Sequence, residues 1–60
     1  MDKNEEIEFT LSSLGYDYYM VSEFMSEHYQ NLLSIDKNIE IAIKWFENTA
    51  PILAEIVHNT

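Results

Sequence analysis

The stretch Leu11-Ser12-Ser13-Leu14-Gly15-Tyr16-Asp17-Tyr18, residues 11–18, decides how this chain folds. Gly15 is the only glycine and directly follows Leu14, at the place where a left-handed residue commonly ends a helix. Asp17 is of a type that caps the start of a helix. The stretch therefore predicts one helix that ends near residue 14 and a second that begins at Tyr18.

The segment before Gly15 predicts a helix over residues 4–14. Ile7, Leu11 and Leu14 recur at steps of four and three, and three glutamates among positions 5–8 lie near the helix end that favours anions. The alternative is a half-buried strand, because residues 7–11 alternate apolar and polar side chains. We favour the helix, since no second strand-like run is present to pair with such a strand.

The segment after Asp17 predicts a second helix over residues 18–33. Apolar side chains recur there at steps of three, four and seven. These apolar positions are Tyr18, Val21, Met25 and Leu32.

The motif Ser34-Ile35-Asp36 interrupts the apolar pattern, and either Ser34 or Asp36 could cap a third helix over residues 37–48. Pro51 disfavours helix at the preceding residue and should kink the chain or open a short fourth helix over residues 51–58. The last two residues are expected to fray. The predicted core stripe of the third helix consists of Ile39, Ala42, Ile43, Phe46 and Ala50.

These segments together predict an all-α fold, a single domain of three to four short helices. Sixty residues support one thin core, because a domain of this size buries only about 60% of the surface of its unfolded chain. Hydrophobic residues make up 47% of the chain, which is too many for a chain that stays disordered. The absence of cysteine excludes disulfides and thiolate metal sites.

The charge balance excludes several partners. Eleven acidic residues oppose three lysines and no arginine, for a net charge of −8. Single, scattered lysines disfavour direct binding to nucleic acid and to anionic lipid. No apolar run approaches the roughly 20 residues that span a bilayer. The acidic first six residues do not resemble a targeting peptide, so we expect a cytoplasmic protein, of the encoding cell or of an infected host.

Catalytic chemistry has little support in the sequence. His28 and His58 are the only imidazoles, and neither stands in a zinc-binding or di-iron spacing. The serines lack the context of an activated nucleophile, and one glycine cannot form a phosphate-binding loop. We therefore expect no enzyme activity, no cofactor and no metal.

The chain contains more hydrophobic side chains than one thin core can cover. Tyr, Trp and Met are enriched at protein interfaces, so some of the surplus is expected on the surface as contacts to a partner. The alternative is that these side chains complete the core of an ordinary bundle or of a homodimer. The surplus consists of Tyr16, Tyr18, Tyr19, Met20, Phe24, Ile41 and Trp45.

Carboxylates recur at four-residue steps in Glu23 and Glu27, and again in Asp36 and Glu40. Their Cβ atoms lie about 5–6 Å apart on a helix. Successive phosphates of a nucleic-acid strand are separated by a comparable distance, of the order of 6–7 Å. Such carboxylates could occupy a basic groove built for DNA or RNA. The alternative is a solvated acidic face that maintains solubility.

Two functions follow from these features. The first is a small acidic protein-binding inhibitor, a nucleic-acid mimic that occupies a basic site of a DNA- or RNA-processing protein, by analogy with virus-encoded proteins that act on a host. The second is a homo-oligomeric helical adaptor, at simplest a homodimer, whose acidity serves solubility only. The predicted partner-binding residues are Glu23, Glu27, Asp36, Glu40 and Glu47 for charge, and Tyr16, Tyr18, Tyr19 and Trp45 for anchoring.

Overall fold

The structure, a computed structural model, describes the backbone of residues 2–58 and the side chains of residues 2–49. It contains three helices: α1 (Lys3–Ser13), α2 (Tyr18–Glu27) and α3 (Ile35–His58). Each helix packs against the other two, and the described residues form no strand. The predicted all-α bundle is therefore confirmed.

The connection between α1 and α2 follows the chemistry of its residues. Gly15 adopts a left-handed φ of +102°, and its N–H donates to the carbonyl of Ser12 at 3.0 Å. The N–H of Tyr16 donates to the carbonyl of Leu11 at 3.3 Å, which completes a Schellman motif. The Asp17 carboxylate then accepts from the N–H of Met20 at 2.9 Å. The predicted roles of Gly15 and Asp17 are confirmed.

Helix α2 ends at Glu27, not at Leu33, so the predicted span of 18–33 is wrong at its C-terminal end. The cause is the buried side chain of Asn38, which binds the backbone of the following turn. Its Oδ1 accepts from the N–H of Gln30 at 2.8 Å, and its Nδ2 lies 2.9 Å from the Gln30 carbonyl and 3.0 Å from that of Ser34. These bonds satisfy the N–H and carbonyl of Gln30, which would pair with other backbone groups in a continuing helix.

The same turn corrects the predicted apolar stripe of α2. Leu32 was expected on the packed side of the helix, but it lies on the turn and is 97% exposed. The apolar stripe of α2 therefore ends with the helix at Glu27 and does not include Leu32.

Helix α3 begins at Ile35, two residues before the predicted start at residue 37, and continues past the predicted break. Of the two candidate caps, Ser34 acts: its Oγ accepts from the N–H of Lys37 at 3.1 Å. The backbone remains helical through Pro51 to His58, so a separate fourth helix over 51–58 is wrong. A proline removes one intrahelical hydrogen bond and leaves the others available, which permits a continuous helix. Ala50, the apolar side chains after Pro51 and the predicted fraying of residues 59–60 lie outside the described residues.

The core joins one face of each helix. Phe24 of α2 and Phe46 of α3 are fully buried, with ring centroids 6.1 Å apart in an edge-on arrangement. Leu14, predicted in the α1 stripe, is instead 58% exposed because it caps the helix end. The buried apolar residues are Ile7, Leu11, Met20, Val21, Phe24, Ala42 and Phe46.

Candidate protein-binding surface

The four predicted aromatic anchors occupy two kinds of environment. Tyr18 and Tyr19, at the start of α2, are 83% and 71% exposed. Tyr16 is half-buried against Phe46, with ring centroids 4.5 Å apart. Trp45 is also half-buried and packs near His28, Phe46 and Phe24 at centroid distances of 4.8, 5.4 and 6.3 Å. Two of the predicted anchors are thus open to a partner, and two extend the core.

Two other members of the hydrophobic surplus are buried. Met20 and Phe24 belong to the core, and Ile41 packs half-buried against it. Phe9 on α1, which was not predicted as an anchor, is by contrast 64% exposed.

The five predicted carboxylates, on α2 and α3, are all exposed. Of these five, Glu40 forms ion pairs: one carboxylate oxygen lies 3.5 Å from Lys37 Nζ and the other lies 3.7 Å from Lys44 Nζ. Among the residues whose side chains the structure describes, these are the only ion pairs. Within the predicted pair of Asp36 and Glu40, the charge of Glu40 is therefore balanced by two neighbouring lysines.

Negative charge is concentrated in the N-terminal half of the chain, which contains α1 and α2. Residues 1–27 contain seven acidic residues and one lysine, a net charge of −6. Residues 28–60 contain four acidic residues and two lysines, a net charge of −2. The lysine of the first part, Lys3, donates to the Asn31 carbonyl at 2.8 Å and lies 5.9 Å from the Tyr29 ring. It forms no ion pair with the described carboxylates of α1 and α2.

An open groove of about 370 Å³ lies between α1 and α2. One stripe of α1 forms its first wall, since the residues there stand at steps of three, one and three along the helix. The start of α2 forms the second wall, and buried Val21 contributes the apolar surface between them. The lining residues are Glu5, Glu8, Phe9 and Ser12 from α1, and Tyr18, Val21 and Ser22 from α2. The groove thus combines two aromatic rings, two carboxylates and two serine hydroxyls.

The carboxylates near this groove affect one another. The N–H of Glu5 donates to Asp2 Oδ1 at 2.9 Å, and this bond lowers the pKa of Asp2. The charge of Asp2 in turn raises the pKa of Glu5, with a smaller contribution from Glu8. Glu5 is therefore held beside like charges, and a cation placed in the groove would relieve that repulsion.

The structure separates the predicted site residues onto different faces. Tyr18 and Ser22 mark the groove side of α2, whereas Glu23 and Glu27 lie about 140° around the same helix at 100° per residue. Tyr19 stands four residues before Glu23 and shares that second stripe. Of the nine predicted residues, Tyr18 alone lines the groove.

Sequence reasoning omitted Glu5, Glu8 and Phe9 as partner-binding residues. A signal for them was present, because Phe9 lies off the stripe of Ile7 and Leu11 and stands four residues after Glu5. An apolar residue outside the core stripe, with acidic neighbours on its own face, indicates an exposed amphipathic surface.

No protein-family model matches the chain, and no curated protein or solved structure is significantly similar to it. Within the part of the chain that the structure describes, no helix has the length and apolar content needed to cross a bilayer. Over the same residues, no group of three or more His, Cys, Asp or Glu side chains could hold a metal ion.

Proposed function

We propose that this chain is an acidic protein-binding inhibitor that covers a positively charged surface of a partner protein with its α1–α2 side. The observation that carries the proposal is the concentration on α1 and α2 of carboxylates that form no ion pair with any described residue, together with the exposed side chains of Phe9, Tyr18 and Tyr19. The three aromatic side chains, exposed at 64–83%, offer large apolar area that a partner can bury.

Charge and aromatic area have different roles in this proposal. The net charge of −6 on residues 1–27 attracts a basic partner and speeds the encounter. Burial of Tyr and Phe rings then slows dissociation, because aromatic side chains dominate the energetics of interfaces. The action is stoichiometric binding, with no reaction catalysed.

A nucleic-acid-handling protein is the proposed partner. Proteins that bind DNA or RNA carry clustered Lys and Arg to neutralise phosphates, and such clusters are the surfaces most complementary to this one. The carboxylates that would replace phosphates are those of α1 and α2, such as Glu8, Glu23 and Glu27. Asp36 and Glu40 are less suited, because Lys37 and Lys44 neutralise Glu40.

Homodimerisation through the same side is less favourable. Two copies that met through α1 and α2 would oppose equal negative fields, and like charges placed across an interface cost several kcal/mol. The experiment below must therefore distinguish binding of a partner protein from homodimerisation, and sedimentation equilibrium measures the latter.

The test compares two variants with equal change of charge. In the first, Glu8, Glu23 and Glu27 become Gln; in the second, Asp36 becomes Asn, and Glu40 and Glu47 become Gln. The immobilised parent captures proteins from a cytoplasmic extract at about 0.05 M and about 0.3 M salt, a range over which screening of exposed charges changes strongly. A captured protein is then purified, and its association rate is measured with all three chains.

The expected result is a basic nucleic-acid-binding protein retained at low salt, with association slowed about tenfold or more in the α1–α2 variant and clearly less in the α3 variant. The proposal fails if both variants associate at the same rate, if affinity is independent of salt, or if the parent recovers only itself and sediments as a multiple of its mass.

A further inference from the structure

We infer that the groove between α1 and α2 receives an arginine side chain from the basic partner. The inference rests on the proposed function and adds the chemical group that is recognised and the place where it binds. The observation behind it is the combination of Phe9, Tyr18, Glu5 and Glu8 around one open groove.

The groove offers what a guanidinium group needs. Guanidinium is a planar cation with five N–H donors, which pairs with carboxylates in a fork geometry and stacks on aromatic rings. Glu5 and Glu8 supply acceptors and negative charge on α1, and the exposed rings of Phe9 and Tyr18 supply surfaces for stacking. Among the described residues, no lysine lines the groove to compete for the carboxylates.

The hydroxyls and the apolar surface fit the remainder of such a side chain. Ser12 and Ser22 provide further acceptors for the N–H groups that a carboxylate does not reach. Val21 is buried at the junction of the two helices, where it presents apolar surface to the methylene stem of an arginine.

The size and openness of the groove favour a side chain over a complete small-molecule ligand. A volume of about 370 Å³ lies at the lower end of the range for ligand pockets, about 300–1,000 Å³, and the groove is partly open to solvent. Such a site holds one anchoring residue of a larger partner, as interface pockets do.

Arginine is favoured over lysine and over a second copy of this chain. A lysine ammonium is a strongly hydrated point charge without a plane to stack, so it uses the rings less well. The sequence contains no arginine, so another copy has no guanidinium to offer. The occupant must therefore come from a different protein.

The experiment uses three labelled nine-residue peptides, each of alternating Lys and Ser with a single central residue: Arg, Lys or the neutral isostere citrulline. Affinity is measured by fluorescence anisotropy, and the contacted residues are located by amide chemical shifts of the full chain. Two variants with equal charge change are compared, Glu5→Gln with Glu8→Gln, and Glu23→Gln with Glu27→Gln. Tyr18→Ala and Tyr19→Ala form the matched aromatic pair, since both tyrosines are exposed neighbours on α2.

The expected result is that the Arg peptide binds the parent about tenfold more tightly than the citrulline peptide and more tightly than the Lys peptide, with shifts centred on residues 5–22. The Glu5 and Glu8 double variant and Tyr18→Ala should abolish this preference. The Glu23 and Glu27 double variant and Tyr19→Ala should retain it. Circular dichroism checks that each variant keeps its helices.

Equal affinity for the Arg and Lys peptides overturns the inference, and so does an equal loss of the preference in both charge variants. Failure of the parent to bind the Arg peptide at millimolar concentration overturns it as well. None of these results decides the proposed function, which is judged by the purified partner and its salt dependence. Conversely, a preserved Arg preference without any salt-dependent partner would contradict the proposed function and leave the groove as an arginine site.

Discussion

The α1–α2 pair and α3 both contain acidic and aromatic residues, but these residues have different surroundings in the two regions. In the pair, carboxylates stand without ion-pairing lysines in the described residues, and Phe9, Tyr18 and Tyr19 are exposed. In the described part of α3, one of three carboxylates, Glu40, is paired with two lysines, and Phe46 and Trp45 pack toward the other helices. Acidic and aromatic content alone therefore does not identify an interaction surface. The informative property is whether these groups have partners within the molecule.

The largest difference in stability is expected between substitutions of two phenylalanines, Phe46 on α3 and Phe9 on α1. Phe46→Ala removes a fully buried ring and should cost about 3–5 kcal/mol. This is close to the whole stability that a core of this size supplies, so the variant should be mostly unfolded at 25 °C. Phe9→Ala removes a mostly exposed ring and should change stability by about 0.5 kcal/mol or less. Urea unfolding followed by circular dichroism measures both, and equal losses would show that Phe9 is part of the core.

The next largest effect concerns the turn between α2 and α3. Asn38→Asp replaces a buried amide donor by a carboxylate that faces the carbonyls of Gln30 and Ser34, and should cost about 3 kcal/mol or more at neutral pH. Acidification should restore part of the loss, because a protonated carboxyl donates one hydrogen bond. Asn4→Asp, an exposed substitution of the same chemistry in the first turn of α1, is the control and should be nearly neutral. Equal unfolding midpoints for the two variants would contradict the role given to Asn38.

A smaller effect is expected at the α1–α2 connection. Gly15→Ala places a Cβ on a residue with φ of +102°, where nothing lies within 4 Å of it, so the cost is conformational and not steric with neighbours. We expect a loss of about 1–2 kcal/mol. Ser13→Ala, an exposed change at the last residue of α1, should alter the unfolding midpoint far less. A Gly15→Ala variant as stable as the parent would show that the turn can relax to a right-handed conformation.

The smallest effect is the pH dependence of the α1 cap. The pKa of Asp2 is lowered mainly by the hydrogen bond from the Glu5 N–H, so its contribution to stability is present above its unfolded pKa of about 4 and lost as pH falls through the lower folded value. The raised pKa of Glu5 acts in the opposite direction and reduces the net change. Asp2→Asn keeps a good capping residue without the charge. The amide protection factors of residues 5–8, which are corrected for the intrinsic exchange rate at each pH, should therefore fall between pH 5 and 2 more in the parent than in the variant. An equal fall in both chains would contradict the role given to the Asp2 carboxylate.

The helix starts were predictable because their causes are local. Asp17 and Ser34 each cap a helix through a side chain that reaches a backbone N–H three residues on, and this reach needs no distant partner. The end of α2 was not predictable in the same way. It depends on Asn38, eight residues after Gln30 in sequence, and a sequence pattern does not show that an asparagine side chain will be buried against a backbone turn.

The candidate surface was predictable only in part. Tyr18 and Tyr19 were expected at the surface and are exposed there, whereas Tyr16 and Trp45 pack against the core. The sequence of a helix defines which of its residues form an apolar stripe. In this chain the stripe includes more residues than the core buries. Which edge of the stripe stays uncovered depends on how the neighbouring helices cross it.

Residue identity and spacing were sufficient for the all-α class, the acidic character and the break at Gly15, because helix periodicity, net charge and left-handed backbone preference belong to short segments of chain. Packing was needed to bring Phe9 and Tyr18 to one groove and to bury the Asn38 side chain against the turn that follows Glu27. Each of these depends on contacts between different segments of the fold, and such contacts exist only after the helices have packed together.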